Sequence, residues 1–528
     1  MKELRTRILS GIRQLTTASV PLIALLLIGL VFFLGIRTER TGFVRDVLDP
    51  GIKRITRPVL NVFRGSPPEV DRLTVLLSAE GLDSLMVMRD SALTAGYLEP
   101  ERNPSYAVQL ITGNDSVNGQ VELVAGRVDH LRSNKWQLLI QGEGPTGPMN
   151  FTRFQLDDPT RTGHLHSWLL HRAAEHCALP SLSIGLTEVQ LNERSRGLHT
   201  AIEMPDSSTL QRWALGDGPV VSFDRTMHDR ATVGLAGLHF AALPLPQEQM
   251  ATAAVMMMPT GTVPTTERAR RAVNLLIALQ QGSKPIREVL DLDRTAALFA
   301  LHDLFGAQAA LTWTNMAFLL DSAGNRLIPF VLHPLAGKPI AAIGSLDNKA
   351  DPDVLIQRIH SDRYFRPRYH SWLDTLSAPG WMEDLQMGSD STVIRLDRTL
   401  QVEYPDRPFD KRVLAHDRTV IRRTLYPKDM AIAIAQDGPE GYAIRIANIH
   451  VLPLEVEAIL IDGDTIPLAI PLLLPARFAE RPLDYWDVPL PEGDLRAATH
   501  ALLRVEGTQR ARAQAIRRRS TLDAQVRQ

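Results

Sequence analysis

Apolar and polar residues first alternate regularly in "DRLTVLLS", Asp71 to Ser78, where Leu73, Val75 and Leu77 fall on one side, the period of a half-buried strand. The period then changes to 3.6 in "GLDSLMVMRDSALTAGYL", which predicts an amphipathic helix. Strand patterns return in "YAVQLITG", "GQVELVAG" and "KWQLLIQG", separated by Gly and Asn at the turns. "TGHLHSWLLHRAAEHCAL" has helical spacing and "LTEVQLNERSRGLHTAIEM" reads as a hairpin. Residues 264–320 are largely helical in pattern; "TTERARRAVNLLIALQQG" and "DRTAALFALHDLFG" each stop at a glycine. Beyond about residue 420 the texture is short strands between turns ("MAIAIAQDG", "YAIRIANIHVLPLEVEAILIDG", "TIPLAIPLLL", "LRAATHALLRVEG"), which predicts a small all-β sandwich.

One run breaks this alternation. From Gln14 to Ile36 no residue is charged, and about 20 apolar residues suffice to cross a bilayer as a helix. Lys2, Arg5, Arg7 and Arg13 precede the run and favour a cytoplasmic N-terminus; Arg37 and Arg40 weaken that asymmetry without reversing it. No small-x-small cleavage pattern follows, so an uncleaved anchor is expected. The expected organisation is a cytoplasmic segment 1–13, a transmembrane anchor 14–37 and a stalk 38–68. A main domain 69–420, a β-sandwich 421–506 and a basic tail 507–528 follow outside the cytoplasm. The tail holds six arginines and one acid and reads as solvated.

At 528 residues the chain exceeds what one hydrophobic core serves. Its 58 basic and 59 acidic residues leave no overall field for nucleic acid or another polyanion. A single cysteine, Cys177, excludes an internal disulfide framework and any cysteine-rich metal site.

Three pieces could carry chemistry: Lys135 at a strand start, Glu203 after a hairpin, and Asn315 in a loop leading to a second hairpin, "LTWTNMAFLLDSAGNRLIPFVLHP". A lysine, a glutamate and a polar loop in that order suit phosphotransferases, in which lysine holds nucleotide phosphates and Asp and Asn supply base and metal ligands. Singly, each is as well explained by solvation. His164, His166 and His171 share no single helical face and read as surface or cap residues. No G-x-S-x-G, H-E-x-x-H or Walker A pattern occurs.

Five segments in order, "AGRVDHLRSNKWQLLI", "MNFTRFQLDDPTR", "HSWLLH", "LNERSRGLHTAIE" and "GAQAALTWTNMAFLL", resemble motifs of the bacterial spore coat protein H (CotH) kinase family, in its larger membrane-linked members. The resemblance covers about 69–345 and implies an α+β, atypical protein-kinase-like fold. It puts Lys135 on the nucleotide lysine, Glu203 on its partner, and Asn315 on the metal-binding asparagine, with ATP and Mg or Mn as cofactors. The family's metal-binding aspartate falls on His333 in "PFVLH", and the loop before Asn315 is the neutral "AQAAL". Mg²⁺ takes oxygen ligands, whereas imidazole suits softer metals. Neither Asp303, on a helix, nor Asp321, in the "DSAGN" turn, stands where the family puts its ligand. The expectation is a pseudokinase or impaired kinase serving as a binding or scaffold subunit of the cell envelope, with an exported protein or polymer as partner. An active ATP-dependent phosphotransferase and a structural envelope protein that binds no nucleotide remain the alternatives.

Overall fold

The computed structural model describes residues 70–518 apart from 147–149, 216–217, 238–251, 258–265, 322, 347–353, 388–389, 439–440, 479 and 490–494. The alternation at the start of the chain becomes β1 (Arg72–Leu77), with Leu73, Val75 and Leu77 buried. A helix, Ala79–Ala95, follows; Ser78 caps it by accepting from Gly81 N at 3.0 Å, and Gly96 ends it at φ +77°. β2 (Tyr97–Leu98) pairs with β5 (Gly126–Arg127) as a short ladder on either side of β3 (Tyr106–Thr112) and β4 (Asp115–Leu123). β6 (Leu138–Thr146), β7 (Phe151–Asp157), β8 (Ile184–Leu191) and β9 (Arg194–Glu203) complete a closed barrel in the order β1-β3-β4-β6-β7-β9-β8.

Closure comes from one parallel pairing, β1 with β8, in which Leu73 faces Val189. The other joints of the barrel are antiparallel. Closing a sheet removes its edges, and the inward residues Val75, Leu110, Val121, Ile140, Phe154, Leu156 and Ala201 belong to one core.

A second, four-stranded antiparallel sheet has the order β11-β10-β12-β13, built from β10 (Val220–Asp224), β11 (Thr252–Met257), β12 (Met316–Leu320) and β13 (Leu327–Val331). Every residue of the β12–β13 pair is buried, save only the hydrophilic turn between them. In that turn Asp321 accepts from Ala323 N at 3.1 Å and Gly324 N at 2.7 Å, the local geometry for which Asp is favoured. Ile202 and Met204, at the end of the barrel, pack with Val220, Ala317, Leu319 and Phe330, so the last barrel strand and the hairpin share a core. The helices Leu292–Leu304 and Phe365–Leu376 pack against each other.

The C-terminal strands are β14 (Ala431–Gly438), β15 (Gly441–Asn448), β16 (Leu454–Ile461), β17 (Asp464–Leu474), β18 (Tyr485–Asp487), β19 (Ala498–Val505) and β20 (Arg512–Arg518). They form one continuous sheet in the order β17-β16-β19-β20-β14-β15-β18. Apart from Gln401–Arg407, which group separately, the described residues form a single compact unit.

Three expectations are corrected. The kinase-like fold with a β-sandwich gives way to an α+β chain whose first sheet closes into a barrel and whose C-terminal strands form one sheet. Part of the expected tail is β20, whose first half pairs with β19 and second half, in parallel, with β14. No described helix is long and apolar enough to cross a membrane. The longest, Ala79–Ala95, has 17 residues, with Glu80, Asp83, Arg89 and Asp90 among them, short of the roughly 20 apolar residues needed. The single-pass membrane placement therefore finds no support among the described residues, and the run 14–37 on which it rested lies outside them.

Candidate functional site

Lys135 precedes β6 in a bend, its backbone N donating to Ser133 Oγ at 3.1 Å. Its side chain is only 8 % exposed, and Nζ donates to the Leu198 carbonyl of β9. A buried ammonium needs such acceptors, because it loses its water. Next to it, His199 is pushed down to about 3, chiefly by burial and then by the Lys135 charge. A neutral His199 can donate from Nδ1 to the Gly197 carbonyl at 3.0 Å. The neighbouring Trp136 is buried and lies between two guanidiniums, Arg89 at 4.8 Å and Arg196 at 4.3 Å from its ring. Trp136 packs in the barrel core, ahead of the first residue of β6.

Glu203 ends the same strand that Lys135 touches, but five residues further on, which is about 16 Å along an extended chain. Its two oxygens are taken by other donors. Oε1 accepts from Thr209 Oγ1 at 2.9 Å and Arg212 Nη1 at 2.7 Å, while Oε2 accepts from Ser183 N at 3.0 Å and from Arg212 Nη2. The cation partner of Glu203 is thus Arg212, not Lys135. The local sequence explains it: Asp206 caps the helix Ser207–Trp213 through Thr209 N, and that helix carries Arg212 back over the end of β9.

Asn315 lies one residue before β12. Its Nδ2 donates to the carbonyls of Ala310 at 2.9 Å and His333 at 2.8 Å, and its Oδ1 accepts from His333 N at 3.0 Å. The side-chain amide therefore extends the β12–β13 ladder beyond its last backbone pair, Met316 with Val331. Asn315 and His333 are brought together, but through the backbone of His333. Replacing Asn315 by leucine leaves the N–H and carbonyl of His333 without this partner, while the Ala310 carbonyl keeps Thr312 N at 3.0 Å, and should cost about 2 kcal/mol of stability. Chemical denaturation of the variant reads this directly; a loss below about 1 kcal/mol means that water replaces the amide.

The His333 ring has a buried Nδ1 with no hydrogen-bond partner. Burial pushes it down to about 4, helped by the charges of Arg225 and Arg161 and by His130. His130, from the "VDHL" segment, is pushed down to about 4 by burial; its bond to the Val124 carbonyl at 2.9 Å opposes this, and Arg161 and Arg225 reinforce it. These four residues therefore act electrostatically on one another. Each arginine is fixed by a buried aspartate, Arg161 by Asp157 at 3.5 Å and Arg225 by Asp229 at 3.1 Å. Sequence reasoning gave no site role to Arg161, Arg212 or Arg225. The one available signal was Arg161 at the end of "MNFTRFQLDDPTR".

A magnesium nucleotide does not fit these residues. Lys135 is buried against a carbonyl, Glu203 is saturated by its own neighbours, and both functions of the Asn315 amide are used within the chain. Asp303 is also committed elsewhere: it accepts from Tyr369 OH, from Gln308 Nε2 at 2.7 Å and from Gly344 N at 3.1 Å. Among the described residues no group of three or more His, Cys, Asp or Glu is arranged to hold a metal ion. His166 and His171 are buried, not surface residues. His166 Nε2 donates to the Asp410 carbonyl at 3.1 Å, and His171 bonds Ser181 Oγ at 2.6 Å. No family model matches the chain, and no curated protein matches it.

Proposed function

We propose that this chain is a non-catalytic binding or scaffold subunit in which a kinase-like order of lysine, glutamate and asparagine serves as a set of internal clamps. The observation that supports this most is the saturation of Glu203 by Arg212, Thr209 and Ser183, which takes Glu203 out of the role of orienting Lys135 toward a phosphate. Phosphoryl transfer depends on positioned cations and metal-bound oxygens at the transferred group. Here the corresponding side chains hold strand ends and loops together.

A thermal-shift titration with ATP, with and without Mg²⁺ or Mn²⁺, tests this reading. A ligand at a hundred times its Kd stabilises the folded state by about 2.7 kcal/mol, which is several degrees in Tm. The expected response contains no component that needs both a divalent ion and Lys135. A metal-dependent rise in Tm that Lys135→Ala abolishes would overturn the proposal.

A further inference from the structure

The near-zero net charge of the chain conceals one strongly basic groove, far in sequence from Lys135. It has a volume of about 510 Å³ and is lined by Arg418, Thr419, Arg422, Arg423, Tyr426 and Arg512, with Ala415 at its edge. The first four come from one helix, Arg412–Leu425, whose i, i+4 spacing sets Arg418 and Arg422 one turn apart on the same face. Arg512 arrives from β20, the strand that replaces the expected tail.

The groove is organised around the Tyr426 ring. Arg422 lies 4.3 Å from its centroid and Arg512 5.6 Å, so two guanidiniums are held against one aromatic ring. Arg512 Nη1 also donates to the Pro427 carbonyl at 2.8 Å, and Arg418 Nε to the Ser377 carbonyl at 2.9 Å. One acid stands nearby, Asp374, and it is already committed. It accepts from Arg422 Nη1 at 2.7 Å, Tyr426 OH at 2.6 Å and Gln509 N at 3.1 Å. Asp374 offsets one of the four charges. Among the described residues Arg418, Arg423 and Arg512 have no carboxylate partner, and Arg423 is exposed.

Three guanidiniums without carboxylate partners lining one groove give it a local positive potential that an anion complements. Guanidinium forks match oxyanions with two or more oxygens per contact, and the volume is that of a small-molecule site, about 300–1,000 Å³. We propose that this groove binds a diffusible, multiply charged oxyanion of the diphosphate kind, gripped by Arg418, Arg423 and Arg512 with Arg422 and Tyr426 as its floor. It stands apart from the residues around Lys135, so its failure leaves the reading above untouched.

Isothermal titration of the full chain with sodium pyrophosphate in chloride buffer tests it, with inorganic phosphate in parallel. The expected result is one pyrophosphate per chain, bound more tightly than phosphate, with affinity falling as salt rises. The double variant Arg423→Ala/Arg512→Ala should weaken pyrophosphate at least tenfold while its Tm stays near that of the parent, because neither residue makes a buried ion pair. Arg72→Ala, on the barrel, should leave binding unchanged. Absence of pyrophosphate binding, binding that survives the double variant, or an equal loss in Arg72→Ala would each overturn the proposal. ATP held here through its phosphates would persist in Lys135→Ala and need no divalent ion, which separates it from a nucleotide site at the barrel.

Discussion

Glu203→Ala should lower the free energy of unfolding by about 2–4 kcal/mol, from a buried backbone donor left unpaired and the space left by the lost side chain. Glu203 is almost wholly buried, and four hydrogen bonds end on it. Its loss strands the Ser183 N–H away from water, while the Thr209 hydroxyl keeps Asp206 Oδ1 at 3.1 Å and Arg212, more exposed, can turn outward. Thr209 is also part of the cap of the helix Ser207–Trp213, so the helix that carries Arg212 loosens as well. Glu203→Gln keeps one acceptor and should cost less than half as much. Urea unfolding at constant slope reads both values. The identity of the partner is tested by double-mutant cycles. Glu203→Gln should couple strongly with Arg212→Met and add within about 0.5 kcal/mol with Lys135→Met, since Lys135 and Glu203 act at separate places on β9. Coupling to Lys135 instead of Arg212 would restore the kinase-like pair.

That pairing shows where sequence reasoning reaches its limit. Alternation in "DRLTVLLS" gave β1 and its buried face, and "LTEVQLNERSRGLHTAIEM" gave the β8–β9 hairpin, because side-chain direction is a local property with a period of two. It could not give the parallel joint of β1 with β8 that closes the barrel, which depends on residues more than a hundred positions apart. Lys135 and Glu203 were assigned to each other by family order, yet Lys135 meets β9 at Leu198, five residues short of Glu203. The competing cation, Arg212, lies on the next helix, which Asp206 caps. The arginines of β20 misled for a different reason: in "RAQAIRR" the strand is largely solvent-facing, so its composition is that of a tail although its backbone is paired. The aspartate turn at Asp321 and the glycine stop at Gly306 were readable because each is set by a few neighbouring residues.

A second large effect is expected where two carboxylates lie buried near the helix Arg412–Leu425. Asp303 attracts the donors there, from Tyr369, Gln308 and Gly344. Asp417, fully buried, receives one, Ile340 N at 3.0 Å, and its Oδ2 has no partner. Burial pushes Asp417 up to about 7; the Ile340 N–H and His416 oppose this, and the charge of Asp303 adds to it. The ordinary value is 3.8, so between pH 4 and 7 the folded state holds a proton that the unfolded chain has released. A raised folded value means stability present below pH 4 and lost as pH rises through about 7. The shift of 7 − 3.8, about 3 units, corresponds to a swing on the order of 4 kcal/mol. Asp417→Asn holds the neutral state at every pH, with its Oδ1 still able to accept from Ile340. Buried histidines such as His302 and His370 slope the whole profile the other way, so the informative quantity is the difference between variant and parent. That difference should move in favour of Asp417→Asn by a few kcal/mol between pH 4 and pH 8 in urea unfolding, with most of the change complete by pH 7.5. Parallel profiles would mean that Asp417 is ionised in the fold and that water reaches its second oxygen.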